Sequence, residues 1–274
     1  MTTLGIGDIG LPQIGLGTLY ITEQRGFGPA LRHAPELLKQ AVRLGVRFFD
    51  TADSYGNGSA ETALRDALYP YDGLMIATKG GFRHERIGAW ISDARPEHLR
   101  NALEGSLKRL GVEAIDLYQL HCADPRVPYA ESVGTLAQLK TEGKIRRIGI
   151  SNVSVSQIEA ARRETGIVSV QNAFNIRHGR SRDVLDYCAA NGLVFIPWMP
   201  LGDGAISWKD PTLAKIAQKH GVKPAQIALA ALLDASPVML PIPGTGSLAH
   251  LRENVAAAAI KLDEDDRQNL RRLG

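Results

Sequence analysis

Three side chains of unlike chemistry stand where apolar runs of the sequence stop, and a fourth lies close beyond one of them. Asp50 follows Val46-Arg47-Phe48-Phe49, Lys79 follows Met75-Ile76-Ala77-Thr78, and His121 follows Leu117-Tyr118-Gln119-Leu120; Tyr55 lies a short way beyond Asp50. A polar group at the end of an apolar run is costly unless it is paired or used. Each has a structural alternative: Asp50 with Lys79 as a buried ion pair, Tyr55 as a loop aromatic, His121 as a satisfied core imidazole. Taken together they form an acid–base set. A phenol with a pKa of about 10 is a weak acid at neutral pH. An ammonium beside it stabilises phenolate and lowers that value, and a carboxylate holds the ammonium in place. Such a phenol can give a proton to a carbonyl oxygen as hydride reaches the carbon, while the imidazole polarises the same oxygen.

The elements that must position these groups are legible in the periodicity. Short apolar runs, read as strands, fall at 14–18, 47–50, 74–79, 115–121, 147–151, 168–171, 193–198 and 238–242. Amphipathic runs between them read as helices. They cover about 35–44 and 60–68, then Pro96 to a stop at Gly111, 132–142, and 182–191. A Ser154/Gln157 capping box opens another that stops at Gly166; two more start at Pro211 and Pro224, and one starts near 247. Eight near-continuous apolar strands, each followed by a helix, predict a (β/α)8 TIM barrel. An N-terminal hairpin and extra helices are added to it, and a single domain spans residues 1–274. A doubly wound sheet is the alternative. In a barrel the C-terminal strand ends form the site. That end collects Asp50, Tyr55, Lys79 and His121 with Ser151, Asn152, Gln171, Trp198, Gly244 and Thr245.

Composition narrows the function classes. Lys plus Arg is 32 against 29 Asp plus Glu, a net charge of +3 with no run of five like charges, which argues against a nucleic-acid arm. Two cysteines, Cys122 and Cys188, make no disulfide framework, and the seven histidines are dispersed, so no metal site is expected. No signal-like or membrane-spanning run is visible, and the expectation is a cytoplasmic protein. Gly5-Ile6-Gly7-Asp8-Ile9-Gly10 matches a dinucleotide fingerprint in letters but has no strand room before it and Pro12 close behind. It reads as a hairpin turn closing the barrel bottom. Gly149-Ile150-Ser151-Asn152-Val153 falls one glycine short of a nucleophile elbow. Asp50 and Asp53 offer no defined separation for paired-carboxylate hydrolysis.

Four segments carry a family resemblance across essentially the whole chain. Phe49-Asp50-Thr51-Ala52-Asp53-Ser54-Tyr55-Gly56, Ala77-Thr78-Lys79, Leu117-Tyr118-Gln119-Leu120-His121 and Ile148-Gly149-Ile150-Ser151-Asn152 closely resemble, in order, the aldo-keto reductases. The resemblance implies a barrel that binds an extended nicotinamide cofactor without a Rossmann domain, with Asp50, Tyr55, Lys79 and His121 as catalytic tetrad and Tyr55 as general acid. It implies that Ser151, Asn152 and Gln171 hold the carboxamide and that Trp198 stacks on the nicotinamide. Gly17, Thr18, Leu19 and Asp50 should lie beside the cofactor, and Pro200, Leu201 and Gly202 beside its pyrophosphate. Pro243, Gly244, Thr245, His250, Glu253 and Asn254 match the adenosine and 2′-phosphate site. Gly244 replaces a lysine common in the family, and His250 stands where an arginine often sits, so NADPH/NADP+ is the expected cofactor with NADH as the alternative. The wording of 242–245 and 250–257 resembles a compact bacterial branch that includes pyridoxal reductases. A short segment after Asn254 implies a pocket without the long C-terminal loop of other branches. Loops 20–34, 123–130 and 203–210 should then shape it, with Tyr20, Trp90 and Trp208 as walls. The expected partner is a small carbonyl substrate, with neither nucleic acid nor membrane, and the chain is expected to be a monomer or weak homo-oligomer. Two other functions stay open: an alcohol or sugar dehydrogenase running in reverse, and an NADPH-binding regulatory subunit.

Overall fold

A computed structural model describes residues 3–7, 9–85, 89–204 and 206–273. Its strands are β1 (Thr3–Ile6), β2 (Ile9–Pro12), β3 (Leu16–Gly17), β4 (Phe48–Asp50), β5 (Met75–Gly80), β6 (Phe82–His84), β7 (Trp90–Ser92), β8 (Ile115–Leu120), β9 (Ile145–Ser151), β10 (Ile167–Ala173) and β11 (Val194–Trp198). Seven of them form one curled parallel sheet in the order β3-β4-β5-β8-β9-β10-β11. Helices α1 (Ala34–Arg43), α2 (Ser59–Leu68), α3 (Pro96–Leu110), α4 (Tyr129–Thr141), α5 (Val155–Glu164) and α6 (Arg182–Asn191) connect successive strands of it. The local signals explain their bounds. Pro96 opens α3 and a left-handed Gly111 ends it, Ser154 caps α5 through a capping box, and Gly192 ends α6.

The expected eighth strand departs from regularity. Segment 238–242 makes one parallel bridge, Phe195 to Met239. Phe195 N–H donates to Val238 O and Leu240 N–H to Phe195 O, both at 2.9 Å, while Gly15 N–H donates to Pro241 O at 3.0 Å. Pro241 and Pro243 have no N–H to give, so a full ladder cannot form. These few bonds carry the barrel round from β11 to β3. The approach there is close: a Cβ on Gly17 would stand 2.8 Å from Ile242 O.

Extra elements decorate this frame. β6 and β7 pair antiparallel, Phe82 opposite Ser92 and His84 opposite Trp90, as a hairpin on β5 that the sequence reading did not contain. Helices α7 (Pro211–His220) and α8 (Pro224–Ala235) both precede 238–242, as expected, and α9 (Leu248–Ala256) and α10 (Glu264–Arg271) follow it. β1 and β2 form the predicted N-terminal hairpin, Ile6 opposite Ile9; Asp8 of its glycine-rich turn lies outside the described residues. Leu4, Ile6 and Leu11 pack with Phe48, Met75, Leu117, Val194 and Leu240, sealing the N-terminal end of the barrel with apolar surface. No helix among the described residues is long and apolar enough to cross a membrane.

Candidate active site

The register brings the polar strand ends together. Gly17 pairs beside Asp50, Asp50 beside Ala77, Lys79 beside Gln119, and Gln171 beside Ser151. Asp50 and Lys79 are enclosed, and the Lys79 ammonium donates to Asp50 Oδ2 at 2.6 Å and to Thr51 O at 2.8 Å. Its third contact is the Tyr55 hydroxyl at 3.4 Å, with the ring centroid 4.9 Å away. Tyr55 is delivered by a tight 3-10 turn over Tyr55–Gly58. Gly56 in it is left-handed, and a Cβ there would collide with Ser59 Oγ at 2.1 Å and Gly28 O at 2.4 Å. His121, just past β8, faces the Tyr55 ring at 5.9 Å, edge to face. The four side chains of the expected tetrad are therefore assembled at one point.

Their protonation states follow from burial and neighbours. Burial pushes the Tyr55 phenol above its ordinary value, and the opposing pull of Lys79 does not cancel it. This corrects the expectation that the ammonium would win: desolvation of phenolate in an enclosed site is the larger effect. Burial also works against the Lys79 ammonium, but Asp50 and Tyr55 outweigh it and hold the amine protonated. His121 is driven well below the usual imidazole range, first by burial, then by Lys79 and His84, and its Nδ1 has no hydrogen-bond partner among the described residues. The site thus presents a protonated phenol and a neutral imidazole, one a proton donor and the other a neutral hydrogen-bonding group.

Both open onto a cavity of about 670 Å³, within the range of ligand sites, about 300–1,000 Å³. Asp50, Tyr55 and His121 line it together with Gly17, Leu19, Ser151, Asn152, Gln171, Trp198, Pro200, Leu201, Pro243 and Gly244. Asn152, with φ +59°, organises the middle of this wall. Its Nδ2 donates to His121 O at 3.0 Å and to Ser151 Oγ at 3.1 Å, and its Oδ1 accepts from Trp198 Nε1 at 3.0 Å. The left-handed backbone is one that asparagine tolerates better than most residues. Of the expected walls, Tyr20 and Trp90 line the cavity, with Phe27 and Phe82 completing an aromatic side. Trp208 does not line it and is 40% exposed.

Other expected cofactor residues stand back from the cavity. Thr18 lies behind it, giving both its N–H and its hydroxyl to Asp50 O. Gly202, Thr245 and Asn254 are buried, Glu253 pairs with Lys223 at 2.5 Å, and His250 is exposed on α9. Nothing in 123–130 lines the cavity; the β6–β7 hairpin takes that side. Arg25 and Asp203 line the cavity from the expected loops 20–34 and 203–210, whereas sequence reasoning missed Cys122 and Met199. Cys122 gives its S–H to Gly81 O, and burial pushes the thiol up to about 12, so it is no nucleophile at neutral pH. Asp203 reaches across the cleft: Tyr20 Oη donates to it at 2.6 Å and Arg25 Nη1 at 3.2 Å. The missed residues lie in loops with no periodicity to place them.

A cavity joined to an acid–base cluster at the C-terminal end of a parallel barrel is the architecture of a barrel enzyme, and sequence comparison identifies its family. The profile of the Aldo/keto reductase family matches residues 13–274, so the chain belongs to that family. It is 37% identical to the pyridoxine 4-dehydrogenase of Escherichia coli strain K12 over 272 residues, covering 96% of this chain and 95% of that one. A thermostable aldo-keto reductase solved with the inhibitor epalrestat superposes with a TM-score of 0.88 at 33% identity, covering 100% of both chains. An aldo/keto reductase of Klebsiella pneumoniae solved with NADP and acetate gives a TM-score of 0.84 at 27% identity over 99% of this chain and 95% of that one.

Proposed function

We propose that this chain is an NADP-dependent carbonyl reductase in which Tyr55 is the general acid. The observation that carries the reading is the contact of the Tyr55 hydroxyl with the Lys79 ammonium at the wall of the cavity, with the His121 ring beside it. The residues fit the cofactor. Gly17, Leu19, Pro243 and Gly244 leave one side of the cavity lined by backbone and small side chains, and Ser151, Asn152, Gln171 and Trp198 supply amide, hydroxyl and aromatic groups next to the tetrad. NADPH, when bound, supplies the hydride. A carbonyl oxygen seated between Tyr55 and His121 receives a hydrogen bond from the neutral imidazole and the proton from the phenol. Lys79 steadies the phenolate that remains, and Asp50 fixes Lys79.

The substrate reading is an aldehyde on a flat ring, of the pyridoxal type. Trp90, Phe27 and Phe82 form a stacking wall beside Tyr55, and the Escherichia coli relative is a pyridoxine 4-dehydrogenase. The same relative favours the reverse reaction as a second reading, oxidation of the matching alcohol with Tyr55 as base. Initial rates of NADPH oxidation with pyridoxal and other aromatic aldehydes test both the class and the residue. Tyr55→Phe should lower kcat by about a thousandfold or more while NADPH binding, read by fluorescence, changes little. Normal turnover in that variant refutes the role of Tyr55.

A further inference from the structure

The interior of the barrel holds a polar layer that the tetrad leaves half explained. Asp50, Gln119 and Gln171 come from β4, β8 and β10, alternate strands of the barrel, and so meet at one level. Asp50 Oδ2 faces Lys79. Its Oδ1 accepts from Gln171 Nε2 at 2.8 Å and from Gln119 Nε2 at 3.0 Å, and the two amides approach each other at 3.4 Å. Of the two amides only Gln171 lines the cavity, as Asp50 does; Gln119 is fully buried beneath it. Gly149 on β9 makes its place: a Cβ there would stand 2.9 Å from Gln119 Cγ and 2.5 Å from Ser169 Oγ.

The two donors differ in what else they can reach. Gln171 faces the ligand space, and a Gln171 side chain that turns toward a bound group carries its amide away from Asp50. A buried carboxylate oxygen left without a donor carries the full cost of desolvation. Gln119 has no route to the cavity and stays. We propose that Gln119 is a positioning residue: it keeps Asp50 hydrogen-bonded and aimed at Lys79 while Gln171 turns to the carboxamide of the nicotinamide cofactor. The proposal rests on the reading of the cavity as a nicotinamide site.

The test uses Gln119→Leu, Gln171→Leu and the double variant, with two measurements. Thermal unfolding of the cofactor-free protein comes first. Either single replacement leaves Oδ1 one amide donor, whereas the double replacement removes both, so its fall in Tm should exceed the sum of the singles by a few degrees. Titration with NADP+ by intrinsic fluorescence comes second. Gln119→Leu should weaken binding roughly fivefold, since Gln171 is then the last amide on Asp50, and that effect should vanish in the Gln171→Leu background. A group that only fills space would lower Tm additively and leave the Kd unmoved, or change it equally in both backgrounds; either result overturns the role of Gln119. Wild-type protein that binds neither NADP+ nor NAD+ overturns the functional reading and the role of Gln171 with it.

Discussion

The two ends of the barrel fill the same cylinder by opposite means. The N-terminal end is closed by Leu4, Ile6 and Leu11 against Phe48, Met75 and Leu117. The C-terminal end buries a carboxylate, an ammonium and two amides, each hydrogen-bonded to another. Apolar filling is divisible: trimming one side chain removes its own contacts and leaves the rest in place. A polar network is not, because removing one member strands its partners in a medium that cannot solvate them.

Replacing Lys79 strikes the indivisible end. Lys79→Met should lower kcat by about a thousandfold or more and destabilise by about 3–5 kcal/mol, because Asp50 Oδ2 loses its cation while still buried. Adding Asp50→Asn should restore part of that stability and none of the turnover. Steady-state rates and thermal unfolding of the single and double variants check both statements; equal stability of the two variants breaks the comparison. At the divisible end, Ile6→Ala should cost about 2–5 kcal/mol and leave kcat per folded molecule unchanged. A large loss of turnover there would show that the two ends are coupled.

A pH scan sharpens the contrast. Asp53, beside the tetrad, has its carboxyl pushed up to about 8, chiefly by burial and then by Glu61. Below the ordinary carboxylate range both folded and unfolded chains hold the proton. As pH rises toward 8 only the unfolded chain releases it, so this group's contribution to stability falls over that interval. Asp53→Asn should abolish the decline, raising Tm by a few degrees at pH 8 and little at pH 4. The smallest effect lies at the rim. Asp203→Ala removes the tie to Tyr20 and Arg25, a partly exposed contact, and should speed cofactor release by only about two- to fivefold in stopped-flow.

Much of this contrast was legible beforehand where sequence carries its own punctuation. Pro96 and Gly111 bracket α3, and Ser154 with Gln157 opens α5, because caps and stops act locally. The clustering of Asp50, Lys79 and His121 is legible because each ends an apolar strand, and Tyr55 is legible only through its closeness to Asp50. Gln119 sat in plain view at the alternate position between Leu117 and His121, and period-2 reading places it inward. Its role does not show in the sequence, because an amide carries no charge to set it apart from a structural residue. The β6–β7 hairpin was not legible: three residues a side hold together through Phe27, His84 and Trp90, contacts that exist only once the chain has folded. The same holds for Trp208, whose type suggested a wall and whose loop turns it outward.

Pro241 and Pro243 leave the barrel with a seam. Between β11 and β3 the closure rests on a few amides, among them those of Phe195, Leu240 and Gly15, while the other neighbouring strands pair through ladders, that of β9 and β10 with a register shift between Ile167 and Ser169. In hydrogen–deuterium exchange such a seam is where the cylinder should breathe first, its amides trading with solvent ahead of those in β8 and β9. The seam meets the cavity at Ile242, Pro243 and Gly244. A ligand bridging Gly17 and Gly244 would act as a rivet across it, and the slowing of exchange at Gly15 and Leu240 would map that ligand's grip without any measurement of turnover.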